Sequence, residues 1–161
     1  MTESGKGRIL VIDDDEGIRK VVGTALQGEG YLVDTAANGK EAVEKSRTNF
    51  YNLALVDIRL PDMEGTKLLT VMKETTPEMV KIILTGYPAL QNAIEAVNKG
   101  ADGYLVKPIN MDELLRTIKQ HLKKQRELKE FGQEKLAKLV ETRFKELQTE
   151  EFDSSKTPKK E

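Results

Sequence analysis

Five short runs of apolar residues are spaced along the first 122 residues, and segments with helical spacing separate them. The central run, Leu53-Ala54-Leu55-Val56, carries no polar alternation, which indicates a strand buried on both faces. The intervening segments repeat apolar residues every three or four positions, as amphipathic helices do. This alternation predicts an α/β fold, a doubly wound five-stranded parallel sheet with helices on both faces. The predicted strands lie at 8–12, 31–35, 53–57, 80–84 and 104–106.

The composition excludes several kinds of chemistry. The 161 residues include no cysteine, so disulfides, thiolate metal sites and thiol nucleophiles are absent. The single histidine, His121, lies in a strongly charged helical segment, where we expect a solvated side chain rather than a ligand or a base. No apolar run approaches the roughly 20 residues of a membrane span, and the N-terminus has no signal-peptide core. We therefore expect a cytoplasmic protein without a membrane span.

Charge and periodicity divide the chain into segments. An acidic N-terminal part is followed by a mildly basic C-terminal part in which both signs are mixed. Mixed signs favour a solvated helix over a nucleic-acid surface. We predict a flexible N-terminus over 1–7, an α/β domain over 8–122, a charged amphipathic helical extension over 123–150 and a disordered tail over 151–161.

The predicted extension carries apolar residues at helical spacing, and we expect the helix to be broken or bent near Gly132. Two interpretations stay open: a face for a partner or a short coiled coil, and a helix folded back on its own domain. About 40 residues with one charged helical pattern hold no second core, so no direct DNA binding is expected. In a complete chain the output would pass through protein contacts, whereas in a fragment the extension could be a linker.

Charged and hydroxyl side chains follow four of the five predicted strands. They are Asp13 and Asp14 after the first, Asp57 at the end of the third, Thr85 after the fourth and Lys107 after the fifth. Because the carboxyl ends of parallel strands share one edge, we expect these groups to converge on a single site. Clustered carboxylates raise one another's pKa unless a cation lies among them. Oxygen ligands without His or Cys predict Mg²⁺.

The same groups suit phosphoryl chemistry. A carboxylate such as that of Asp57 can attack phosphorus to form an aspartyl-phosphate. A metal ion, the Lys107 ammonium and the Thr85 hydroxyl could then offset the charge on the phosphoryl oxygens. The neighbouring Asp15 is expected to be only a first-turn helix residue, favoured there by the helix dipole.

These motifs resemble the receiver domains of two-component response regulators. The resemblance runs from about Arg8 to about Leu122, with every motif in order. It rests on Ile9–Asp14, on Leu55–Asp57 with Pro61 and Gly65, on Thr85-Gly86 and on Gly103-Tyr104-Leu105-Val106-Lys107-Pro108. The resemblance implies a flavodoxin-like sheet with strand order 2-1-3-4-5.

The resemblance also implies roles for individual residues. Asp57 would be the phosphoacceptor, supplied by the phosphohistidine of a sensor histidine kinase, by a phosphotransfer protein or by acetyl phosphate. Asp14 would bind Mg²⁺ directly, Asp13 through a metal-bound water, and Arg59 through its backbone carbonyl. Lys107 would pair with the phosphoryl oxygens, and its bond to Pro108 would be cis.

A switch is implied as well. Thr85 would bond a phosphoryl oxygen and move inward, and the ring of Tyr104 would turn into the vacated space. The pair would bias a surface formed by the fourth helix, fifth strand and fifth helix, which binds a downstream protein. A homodimer through the fifth helix and the extension is a further expectation. The protein would be a signalling phosphoacceptor rather than an enzyme, catalysing only its own phosphorylation and dephosphorylation.

Two other protein classes share some of these features. Haloacid-dehalogenase-type phosphatases also use Asp, Mg²⁺, Thr and Lys, and Asp13-x-Asp15 superficially fits their first motif. That reading would leave Asp57 without a role, and the helix after Lys107-Pro108 leaves no place for the acidic metal motif that it needs. The second alternative is a receiver-like module that binds its partners independently of phosphorylation.

Overall fold

The computed structural model describes residues 6–86 and 89–156. Five strands alternate with five helices over this part of the chain. They are β1 (Arg8–Ile12), α1 (Glu16–Gly28), β2 (Leu32–Ala36), α2 (Gly39–Thr48), β3 (Leu53–Asp57), α3 (Gly65–Thr75), β4 (Val80–Thr85), α4 (Leu90–Asn98), β5 (Gly103–Val106) and α5 (Met111–Lys156). The chain divides into two compact units, Met1–Leu122 and Lys123–Glu161, which are described separately.

The strands form one sheet in the order β2-β1-β3-β4-β5, and every neighbouring pair is parallel. The register aligns Ile12 of β1 with Val56 of β3, and Val56 with Ile83 of β4. The carboxyl ends of these strands therefore lie side by side at one edge. The predicted fold class and strand order are confirmed.

The core consists of two apolar clusters, one on each face of the sheet. On β3, Ala54 and Val56 belong to one cluster, whereas Leu53 and Leu55 belong to the other. This alternation explains why the whole strand is apolar, since both of its faces are buried. Helices α2, α3 and α4 contribute Ala42, Leu68, Leu69, Met72 and Ala96 to the first cluster. Helices α1 and α5 contribute Val22, Leu26, Leu114, Ile118 and Leu122 to the second.

Helix α5 differs from the sequence prediction at two places. It continues through Gly132 without the break that was one of the two predicted outcomes there, and through residues 151–156, where the sequence predicts a disordered tail. One glycine costs a helix only about 1 kcal/mol relative to alanine. The residues around Gly132 are mostly strong helix formers such as Glu, Lys, Leu and Gln, which offsets that cost.

Some predictions fall on residues outside the described part of the chain. They concern the flexible N-terminus over 1–5 and the tail over 157–161. The sequence also predicts that Pro88 begins the fourth helix, and the resemblance implies that Tyr87 influences the loss of the phosphoryl group; both residues lie outside the described part. Residue Gly7 is described, and its carbonyl accepts a hydrogen bond from the Leu32 N–H at 3.0 Å. Within the described ranges no helix is both long and apolar enough to cross a membrane.

Candidate phosphoacceptor site

The carboxyl edge of the sheet gathers the side chains that the sequence singled out. Asp13 follows β1, Asp57 ends β3 and Thr85 ends β4, while Lys107 follows β5. The parallel register holds these strand ends level, because Asp57 is aligned with Leu84 and Thr85 with Val106. Four separate segments of the chain thus contribute to one site.

Three carboxylates form a cluster at the centre of this edge. Each of Asp13, Asp14 and Asp57 offers an oxygen, and these oxygens lie within 4.8 Å of one another. Asp13 and Asp57 are buried, whereas Asp14 is exposed to solvent. An all-oxygen donor set with one open side fits Mg²⁺, which keeps several waters and binds through one or two carboxylates. The residues present therefore fit the expected metal ion.

Lys107 is the cation of this cluster. Its Nζ lies 2.9 Å from Oδ2 of Asp13 and 3.4 Å from Oδ2 of Asp57. Burial by itself would lower the pKa of Lys107, but the two carboxylates outweigh it and hold the pKa above its usual value. Lys107 therefore stays protonated and lies beside both buried acids.

Asp57 is difficult to ionise in this environment. Burial and the negative charge of Asp13 raise its pKa to about 6, although the Arg59 N–H and Lys107 oppose that rise. The Arg59 N–H donates to Oδ1 of Asp57 at 3.2 Å. Two buried carboxylates lie beside the single ammonium of Lys107, and a bound cation would relieve the remaining negative charge.

Local hydrogen bonds hold Asp13 in place. Its Oδ1 accepts from the backbone N–H of Asp15 at 2.9 Å, and its carbonyl accepts from Nη1 of Arg19 at 2.8 Å. The carboxylate of Asp15 instead caps α1 by accepting from the Ile18 N–H at 3.1 Å. Asp15 is therefore a helix-capping residue. Sequence reasoning missed Arg19, because a side chain that bonds a backbone carbonyl leaves no motif.

A glycine lets the chain turn closely behind Asp57. A Cβ built on Gly65 would lie 2.4 Å from the Asp57 carbonyl oxygen and 2.7 Å from Cα of Ile58. The Gly65 N–H also donates to the Ile58 carbonyl at 2.7 Å. Both close atoms belong to the backbone, so a larger residue could not be accommodated by turning a side chain. Gly65 thus positions the loop that carries Asp57 and Arg59.

The predicted switch residues are both placed at this side of the sheet. The Thr85 side chain is fully buried, and its carbonyl accepts from the Lys107 N–H at 2.7 Å. The Lys107–Pro108 peptide bond is cis, the isomer that the resemblance implies. Tyr104 is partly buried against the apolar cluster that includes residues of α3 and α4. Its hydroxyl oxygen is buried and has no hydrogen-bond partner among the described residues.

Two further charged residues have structural explanations. Lys81 is buried on β4, and its Nζ donates to the carbonyls of Thr76 and Met79 at 3.1 and 2.7 Å. Burial lowers its pKa. The Asp62 carboxylate accepts from the N–H groups of Gly39 and Lys40 at 2.8 and 2.9 Å, so it binds the first turn of α2. Neither was singled out from the sequence.

Curated relatives match about three quarters of the chain. The transcriptional regulatory protein ZraR of Klebsiella oxytoca is 39% identical over 114 residues, which cover 71% of this chain and 26% of ZraR. The DNA-binding transcriptional regulator NtrC of Proteus hauseri is 36% identical over 125 residues, covering 78% of this chain and 26% of NtrC. The chain thus spans about a quarter of the length of these relatives.

Solved structures match a similar share of the chain. A CheY-like response regulator receiver domain protein from Methanospirillum hungatei is 46% identical, with a TM-score of 0.73, and the match covers 74% of this chain and 96% of that one. The beryllofluoride-activated NtrC4 receiver domain dimer is 35% identical, with a TM-score of 0.70, covering 73% and 98%. The family model of the response regulator receiver domain matches residues 9–119. The chain therefore belongs to the response regulator receiver domain family.

Proposed function

We propose that the chain is a phosphoacceptor that takes a phosphoryl group on Asp57 in the presence of Mg²⁺. The observation that carries this proposal is the position of Lys107, whose Nζ lies within 3.4 Å of both Asp13 and Asp57. A cation held beside two buried carboxylates can stabilise the negative charge of phosphoryl oxygens when one carboxylate becomes phosphorylated. The family membership supports the same chemistry.

The phosphoryl donor would be the phosphohistidine of a sensor histidine kinase or phosphotransfer protein, or a small donor such as acetyl phosphate. An Asp57 oxygen attacks phosphorus, and the bond from phosphorus to the donor atom breaks with its electron pair leaving on the donor. Asp13, Asp14, Asp57 and the Arg59 carbonyl would hold Mg²⁺, which supplies screening of the negative charges. Hydrolysis of the aspartyl-phosphate then restores the carboxylate.

Lys107 and Thr85 would receive the transferred group. Lys107 already lies 3.4 Å from Oδ2 of Asp57, so its ammonium can pair with phosphoryl oxygens without a large movement. Thr85 ends the adjacent strand, and its hydroxyl would bond another phosphoryl oxygen. Its inward shift, coupled to Tyr104, would bias the surface of α4, β5 and α5 between two states. A downstream protein would bind one of these states.

Intact mass after incubation with Mg²⁺ and acetyl phosphate tests this proposal. The wild-type protein is expected to gain one phosphoryl group, and Asp57→Asn is expected to gain none. Asp15→Asn is the matched control, since it removes one charge beside the site and keeps a residue that caps helices well. An adduct that persists in Asp57→Asn would place the nucleophile on another residue.

An alternative function is that of a domain with the same fold that is not phosphorylated. A folded wild-type protein that forms no adduct with acetyl phosphate, or with a panel of phosphorylated kinases, would be a receiver-like module that binds partners independently of phosphorylation. The complete acidic cluster and Lys107 favour the phosphoacceptor, because buried like charges destabilise a domain that makes no use of them.

A further inference from the structure

The half-buried Arg19 side chain of α1 lies beside the acidic cluster, yet it bonds the backbone rather than a carboxylate. Its Nη1 donates to the Asp13 carbonyl at 2.8 Å. Among the described residues, Arg19 forms no ion pair with an acidic side chain, and it is Lys107 whose Nζ pairs with Asp13 and Asp57. Neutralisation of the buried acids therefore does not explain the position of Arg19.

Asp13 is held by hydrogen bonds at its backbone as well as at its carboxylate. Its N–H donates to the Ala36 carbonyl at 3.0 Å. Its Oδ1 accepts from the Asp15 N–H at 2.9 Å, and its Oδ2 accepts from Nζ of Lys107 at 2.9 Å. The bond from Arg19 accounts for the carbonyl. Every polar atom of Asp13 thus has a partner, and Arg19 holds the one that leads into the next residue.

Asp14, by contrast, depends on the backbone for its position. Its carboxylate is exposed, and within the described ranges it has no hydrogen bond and no ion pair. The peptide group between Asp13 and Asp14 is planar, so holding its carbonyl in one direction also restricts where Cα of Asp14 lies. Because Arg19 holds that carbonyl, it also influences the direction of the Asp14 side chain.

We propose that Arg19 is a positioning residue for Mg²⁺, because it orients the peptide that joins Asp13 to Asp14. This inference rests on the proposed function, in which both carboxylates help to hold the ion. Oxygens of Asp13, Asp14 and Asp57 lie within 4.8 Å of one another, and a turn of that peptide would move Asp14 away from the other two. Since Mg²⁺ demands near-ideal octahedral geometry, such a displacement lowers the affinity.

The charge and the hydrogen bond of Arg19 have opposite effects on a bound cation. A positive charge near the cluster repels Mg²⁺, so removal of the charge alone would strengthen binding. Loss of the hydrogen bond would weaken binding, because the peptide before Asp14 would no longer be held. A substitution of Arg19 therefore distinguishes the two roles by the direction in which the affinity changes.

Calorimetric titration of the full-length, unphosphorylated protein with Mg²⁺ tests the proposal. We expect Arg19→Gln to bind Mg²⁺ about tenfold more weakly than wild type, as is typical when a partner that orients metal ligands is lost. Arg19→Lys keeps the charge and a donor on a shorter side chain, and its affinity should lie between the two. Equal or tighter binding by Arg19→Gln would overturn the proposal. Should that variant fail to fold in urea-unfolding measurements, wild-type affinity in Arg19→Lys would overturn it equally.

Lys20→Gln is the matched control. Lys20 is the next residue of α1, and its exposed Nζ pairs with Oε1 of Glu16 at 3.2 Å. The substitution removes the same charge without affecting the Asp13 carbonyl, so the Mg²⁺ affinity should stay within about twofold of wild type. A loss in Lys20→Gln as large as that in Arg19→Gln would show that the effect is not specific to the bond with Asp13, and would overturn the proposal.

The Mg²⁺ dependence of phosphorylation by acetyl phosphate separates positioning from chemistry. Arg19→Gln should need about tenfold more Mg²⁺ to reach half of its maximal rate, while that maximal rate stays within about threefold of wild type. A lower maximal rate with an unchanged Mg²⁺ requirement would overturn the proposal and leave the phosphoacceptor function intact. A wild-type protein that neither binds Mg²⁺ nor forms the adduct would instead refute the proposed function, and this inference with it.

Discussion

At the scale of single residues, the ionisation of Asp57 is the feature with the clearest consequences. A carboxyl group in water ionises near pH 4, and burial together with Asp13 raises the pKa of Asp57 to about 6. The folded protein therefore holds this charge at a cost whenever the pH is above 6. That cost is the reason why Asp57 can respond strongly to a cation or a phosphoryl group.

The first prediction concerns the stability of Asp57→Asn without Mg²⁺. Above pH 6 the free energy of unfolding of the variant should exceed that of the wild type by about 2 kcal/mol, because the variant no longer holds a buried charge. The advantage should fall between pH 6 and pH 4, since wild-type Asp57 becomes protonated in the folded state first. Urea unfolding at pH 7 and pH 4 measures both values. Equal differences at the two pH values would contradict the prediction.

The second prediction concerns the affinity for Mg²⁺. Protons compete with the metal for Asp57, so the affinity should fall by up to about tenfold per pH unit below pH 6 and change little above pH 7. Isothermal titration calorimetry between pH 5 and pH 8 measures this dependence. Asp57→Asn should bind more weakly and lose most of the pH dependence. An unchanged slope in that variant would assign the titration to another group.

At the scale of secondary structure elements, the site depends on how tightly the segment after β3 returns to the sheet. Gly65 begins α3, and its position against the Asp57 carbonyl leaves no room for a side chain. The chain between them carries Arg59, whose N–H donates to Asp57. The start of one helix therefore determines the geometry at the end of one strand.

The third prediction follows from this contact. Gly65→Ala should lower the free energy of unfolding by about 1–3 kcal/mol, since backbone atoms must move to admit the methyl group. It should also slow phosphorylation by acetyl phosphate. Gly28→Ala is the control, because a Cβ there would meet nothing within 4 Å and alanine favours helices. If Gly65→Ala, like Gly28→Ala, retained wild-type stability and phosphorylation rate, the close approach of Gly65 to the Asp57 backbone would not be needed for either property.

At the scale of the whole molecule, the residues of both apolar clusters lie between Ile9 and Leu122. The matched receiver domains of solved structure likewise correspond to about three quarters of this chain. The extension begins at Lys123, and its exposed apolar side chains belong to the second unit. The candidate phosphoacceptor site and the exposed apolar side chains of the extension thereby lie in different parts of the sequence.

The fourth prediction tests that assignment. A chain ending after Leu122 should fold, bind Mg²⁺ and form the aspartyl-phosphate at a rate within about threefold of the full-length protein, because its core is complete. Intact mass measures the rate of phosphorylation, and urea unfolding measures whether the truncated chain is folded. A truncated chain that fails to fold would show that the extension contributes to the stability of the domain.

The sequence predicted the sheet well, because the signals for its strands are local. Runs such as Leu53–Asp57 identify a doubly buried strand without reference to the rest of the chain. The carboxyl ends of parallel strands share an edge in any such sheet. The sequence could therefore predict that Asp13, Asp57 and Lys107 lie near one another. The predictions of a break at Gly132 and of a disordered tail over residues 151–156 were wrong, since the helix is continuous there. Strong helix formers around Gly132 outweigh the unfavourable propensity of a single glycine.

By itself, the sequence determined the fold class, the strand order implied by its family, and the identity of the groups at the sheet edge, because these follow from periodicity and chain order. Tertiary structure alone decided the distances from Lys107 to two carboxylates and the raised pKa of Asp57. It also decided that Arg19 supports Asp13 and that Gly65 lies against Asp57. Distances and burial depend on residues far apart in the chain, and no local pattern records them.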